Sequence, residues 1–128
     1  MRFRTIALGC AFVVASSAAY ADDLMANTYG NTVMTKSHKT GASATLLFNQ
    51  DMTYTARAMD AKGQPVSYGG AWMTKDGGNT ICLTPKLPPN APGAGTSCSP
   101  LSKHNVGDSW SVTNDQGETF DVSLSAGR

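Results

Sequence analysis

Apolar and polar side chains alternate most cleanly at the end of the chain. Between Thr119 and Ser125, Phe120, Val122 and Leu124 fall on one side, with Thr119, Asp121, Ser123 and Ser125 on the other. Successive side chains of a strand point to opposite faces, so this pattern predicts a half-buried strand. Residues 52–58 repeat it, with Met52, Tyr54, Ala56 and Ala58 on the inner face and Thr53, Thr55 and Arg57 outside. Residues 44–48 form a short apolar run between the turn-forming stretches 39–43 and 49–51, which fits a strand better than a helix. Residues 32–36 read as the first strand. Beyond residue 21 no stretch of ten residues carries a helical 3.6 repeat.

The chain is organised around a central hairpin, residues 66–75 against 79–84. Its turn, Asp76-Gly77-Gly78-Asn79, is made of residues that tolerate positive φ. Tyr68, Gly70 and Trp72 share one face. The Gly69-Gly70 pair predicts a bulge or a place where a neighbouring ring covers bare backbone. Residues 85–97 hold four prolines and no period, and read as a long loop. A connection over 99–106, with a short strand around Leu101, leads to a last hairpin of 107–113 and 119–125 around Asn114-Asp115-Gln116-Gly117. About seven short strands separated by turns make the expected fold class all-β. A small antiparallel meander closing toward a barrel is the first expectation, because sequential hairpins can close without an exposed edge; a two-sheet β-sandwich is the alternative.

The first residues have a different character. Met1-Arg2-Phe3-Arg4 precedes an apolar run over 6–15 and an Ala19-Tyr20-Ala21 site, the pattern of a secretory signal peptide cleaved after Ala21. The run is too short to anchor the chain in a bilayer. Cys10 raises a lipoprotein reading, but it lies inside the apolar run with no small polar residues clustered behind it. Residues 22–128 are then a single β domain with a short flexible leader over 22–27, expected in the periplasm or outside the cell and off the membrane. Arg2 and Arg4 leave with the signal, so ten basic residues become eight against nine acidic ones, a net −1. That balance argues against a nucleic-acid partner, which demands a concentrated basic face. Cys82 and Cys98 remain as an even pair and predict a structural disulfide.

Candidate chemistry is sparse. There is no Gly-x-Ser-x-Gly nucleophile motif, and the only imidazoles, His38 and His104, stand in polar stretches that predict surface positions. Two distant histidines without a free cysteine pair supply no recognisable metal set. Met34, Met52, Met59 and Met73 bring soft copper to mind, but methionine is an ordinary filler of small cores, and that is the expected role. Asp108, Asp115 and Glu118 cluster near the last hairpin, where solvated turn acids are routine. The expectation is therefore no catalytic residue, no metal and no cofactor. What remains is binding. Tyr54, Tyr68, Trp72, Trp110 and Phe120 are candidates to line a ligand site, with the hydrophobic core as their first reading. The proline-stiffened loop 85–97 is the candidate surface for a protein partner.

The run Phe48-Asn49-x-Asp51-x-Thr53-Tyr54, then Gly70-Ala71-Trp72, Ile81-Cys82-Leu83-Thr84, Cys98, and His104-Asn105-Val106-Gly107-Asp108-Ser109-Trp110 resembles a group of small secreted proteobacterial proteins of unassigned activity. The Gly-x-Trp strand followed by a Gly turn is similar to lipocalin-like, or calycin-like, barrels. That resemblance implies a β-meander; the lack of catalytic motifs makes a non-catalytic domain that binds a small ligand or a protein partner the expected function. A more distant comparison, with small one-disulfide periplasmic barrels that inhibit metalloproteases through an N-terminal segment, implies the alternative of an inhibitor of a periplasmic or secreted hydrolase acting through residues 22–27.

Overall fold

The computed structural model describes residues 24–59, 62–91 and 93–128; the expected signal peptide lies outside them. Eight strands follow in chain order: β1 (Thr32–Ser37), β2 (Ser43–Phe48), β3 (Thr53–Met59), β4 (Pro65–Lys75), β5 (Thr80–Pro85), β6 (Ser97–Pro100), β7 (Ser109–Thr113) and β8 (Thr119–Ser125). All pair antiparallel in one sheet, in the order β6-β5-β4-β3-β2-β1-β8-β7. This is an up-and-down meander bent round until its terminal strands meet, with Val33 opposite Leu124 and Thr35 opposite Val122. The ring is nearly closed. Its one seam falls between β6 and β7, the single pair of chain neighbours that do not share a ladder. Barrel, not sandwich, is the outcome.

The register explains which residues face inward. Val33, Leu46 and Ala56 stand side by side across β1, β2 and β3, and Phe48 faces Tyr54. Tyr54 in turn faces Gly70 with no bulge in the ladder. A Cβ on Gly70 would lie 2.6 Å from Cε1 and Cζ of Tyr54, so the bare backbone here is the space the ring occupies. At one end of the barrel Phe48 meets Trp72 edge to face at 6.2 Å, and Tyr29 covers Trp72 at 6.1 Å. The indole Nε1 of Trp72 donates to the Asn49 carbonyl, so this buried ring leaves no donor unmet.

Two expectations fail. Residues 24–27, expected as part of a flexible leader, belong to the fold. Met25 is only 4% exposed and joins the core, and Asn27 Nδ2 donates to the His104 carbonyl and to Asn105 Oδ1. An apolar side chain of that size, arriving where the barrel end would otherwise stand open, is drawn in by the area it removes from water. Asp22 and Asp23 lie outside the described residues. The other methionines reverse the second expectation: Met34, Met52, Met59 and Met73 are all about half exposed and fill no core. Met52 does not continue the inner face of β3, because it sits in the preceding turn at φ 69°, which swings its side chain out of the alternation.

Cys82 and Cys98 face each other across β5 and β6 and are bonded. Both fall on the outer side of the alternation, since Ile81 and Leu83 take the inner positions of β5 and line the interior. The bond therefore clamps the last strand before the seam from outside. A structural disulfide belongs to an oxidising, non-cytoplasmic environment. Among the described residues no helix is long and apolar enough to cross a membrane.

Candidate functional site

The inner face is not filled. Ala44 on β2, and Ser97 and Ser99 on β6, present small side chains to an interior that is also lined by Tyr68, Leu83, Val112 and Phe120. Among the described residues no large side chain is completely shut from solvent, although the same strands bury Tyr54 to 3% and Leu124 to 3%. The space left over is a cavity of about 450 Å³ inside the barrel. It runs from Met25 at the packed end to Gly95, Gln116 and Glu118 in the loops at the other. This volume is in the range of sites that enclose a small organic molecule.

Of the five aromatic residues singled out from the sequence, Tyr54, Tyr68, Trp110 and Phe120 line this cavity, and Trp72 does not. Trp72 is core, 5% exposed and surrounded by other rings. Tyr54 serves both roles, packing on Phe48 at 5.7 Å while bordering the cavity. Its phenol is pushed up to about 12, first by burial and then by the neighbouring Tyr68. Burial also raises Tyr68. Both phenols therefore stay protonated across the physiological range and can donate hydrogen bonds into a space with largely apolar walls. A raised value means that the folded state holds its proton longer than the unfolded chain. Stability is accordingly present in full below the ordinary tyrosine value near 10 and falls as pH rises from there toward about 12. Urea denaturation across that interval is expected to show the decline, and Tyr54→Phe to flatten most of it; an unchanged slope in the variant would contradict the assignment.

The seam is held shut at two places. Near the loop end, Asp115 N donates to the Cys98 carbonyl at 2.9 Å, and Cys98 N donates to Asp115 Oδ1 at 3.1 Å. Further along, the connection 101–108 folds back so that the His104 ring lies flat on Trp110, centroids 3.4 Å apart and planes within 3°. Ser102 Oγ sits 2.9 Å from His104 Nε2. His104 thus departs from the surface position expected of it: it is partly buried and borders the cavity. Nothing in the polar stretch Lys103-His104-Asn105 signals this, because the stacking partner is set by the path of the connection. His38 does stand outside, 2.8 Å from Asp121 Oδ1. That contact, followed by the hydrogen bond from Ser111, holds the Asp121 carboxyl below its usual range.

The three acids near the last hairpin separate in space. Asp115 spans the seam, and Asp108 Oδ2 accepts from Asn105 N within the connection. Glu118 lines the cavity mouth and accepts a hydrogen bond from Ser37 Oγ at 3.3 Å. The loop 85–97 contributes Pro85, Gly93, Ala94 and Gly95 to the same mouth, and Thr84 and Thr96 hydroxyls pair across its base at 2.7 Å. Its glycine and alanine edge, not the prolines that mark the loop in the sequence, supplies most of its share of the mouth. Among the described residues no group of three or more His, Cys, Asp or Glu is placed to hold a metal ion. Compared with protein-family models, curated proteins and solved structures, the chain matches none.

Proposed function

We propose that this is a non-catalytic periplasmic or secreted domain that carries a small, largely apolar ligand inside its barrel. The cavity of about 450 Å³ is the observation that supports this most directly. Apolar walls from Leu83, Val112 and Phe120 gain by removing a hydrophobic body from water, and two protonated phenols orient whatever polar atom it bears. The rival reading, a hydrolase inhibitor working through its N-terminal segment, has less support: residues 24–27 are packed on the barrel, with Met25 in the core.

Titration with the uncharged fluorophore N-phenyl-1-naphthylamine tests the proposal. Emission is expected to rise saturably on binding. Ala44→Phe, which fills the interior from β2, is expected to weaken binding about tenfold while the protein keeps its barrel spectrum, since a filled cavity excludes the probe. A flat titration with folded wild-type protein would overturn it.

A further inference from the structure

Ionisable groups are few around the cavity. Among the described residues that line it there is no lysine and no arginine; besides the two protonated phenols there are only His104, under the seam against Trp110, and Glu118, at the loop-side mouth. A ligand with an anionic head would find no fixed cation there. A ligand with a cationic head would find one carboxylate.

The carboxylate is placed deliberately by its neighbours. Ser37 is buried to 5%, and its Oγ accepts from the backbone N–H groups of Lys39 and Thr40 at 3.2 and 3.3 Å. With both acceptor directions taken, the hydroxyl proton is left to point at Glu118 Oε2. Asn114 Oδ1 accepts from Glu118 N at 2.9 Å, and the Glu118 carbonyl accepts from Asn114 N at 2.9 Å, so the turn carrying the acid is locked as well. No lysine, arginine or histidine of the described residues lies within ion-pair distance of this half-buried carboxylate. Phe120 and Tyr68 line the same cavity, and an aromatic face attracts a cation where it would repel an anion.

Resting on the interior-ligand reading above, we propose that the ligand is a hydrophobic amine, its apolar body in the barrel and its ammonium on Glu118 at the mouth. Three decyl compounds of equal length, decylamine, decanol and decanoate, are to be compared as competitors of bound N-phenyl-1-naphthylamine at neutral pH. Decylamine is expected to displace the probe about tenfold more tightly than decanol, the size of a partly desolvated ion pair, with decanoate weakest. Glu118→Gln keeps an acceptor for Ser37 and is expected to bring decylamine down to the level of decanol measured on the same variant. Gln116→Lys, an exposed change beside the acid, is a second route to the same loss, and Asp121→Asn on the outer face is expected to leave the preference intact. Parity of amine and alcohol in the wild type, or an amine preference that survives Glu118→Gln, would overturn this inference alone. Failure of the wild-type protein to take up the probe at all would overturn the interior-ligand reading with it.

Discussion

Gly70→Val is expected to cost the fold about 3 kcal/mol or more, the range of severe overpacking. Even a single added carbon meets Cε1 and Cζ of Tyr54 at 2.6 Å and the Thr84 carbonyl oxygen at 2.7 Å. Neither can give way easily. The Tyr54 ring is 3% exposed and packed on Phe48, and Thr84 O belongs to the backbone of the strand paired with β4. The neighbouring glycine is the internal control, because a Cβ at Gly69 meets only the Tyr54 carbonyl oxygen, at an ordinary 3.6 Å. Gly69→Ala should therefore shift the urea midpoint little, while Gly70→Ala lowers it and Gly70→Val lowers it further. Equal midpoints for the two alanine variants would mean that the ring is free to leave its seat over Gly70.

The second large effect is expected from the cystine. Replacing both Cys82 and Cys98 by alanine removes a cross-link of sequence separation 16, worth about 3 kcal/mol in the chain-entropy treatment. The local consequence is as informative as the total. β6 is four residues long, ladders only with β5, and has the seam on its other side. Amide exchange in Ser97–Pro100 should accelerate well before exchange in β1 to β4, where each strand is paired on both sides. Uniform acceleration across the sheet would show that the bond stabilises the barrel as a whole and not its margin.

Much of this architecture was legible from period and punctuation. The alternation over 119–125, the apolar run 44–48 and the Asp76-Gly77-Gly78-Asn79 turn each locate a strand or hairpin to within a residue or two. The reading of Gly69-Gly70 as backbone under a ring also holds, because a glycine pair in a strand has few other uses. What pattern could not reach is anything decided between distant segments. Met25 and Met52 are alike as residues, yet one closes a barrel end and the other rides out on a left-handed turn. His104 acquires its stacking partner only through the course of a connection with no period of its own. The candidate site is legible in half. Its aromatic lining was visible, whereas its emptiness depends on Ala44 of β2 and Ser97 and Ser99 of β6 arriving at one place, which no single stretch records.

The pairing of β1 with β8 sets the order in which this molecule can assemble. Every other ladder joins strands adjacent in the chain and can form as soon as a hairpin's worth of polypeptide has emerged. The ladder of Thr32 with Ser125 instead joins residues near opposite ends of the described chain, so loop-closure entropy must be overcome across nearly the whole domain. Until that step, a nascent chain is a flat ribbon with the N-terminal edge of the sheet bare and the future interior wetted. Closure of the ring and creation of an enclosed interior are thus one event, available only when the last strand is free to dock.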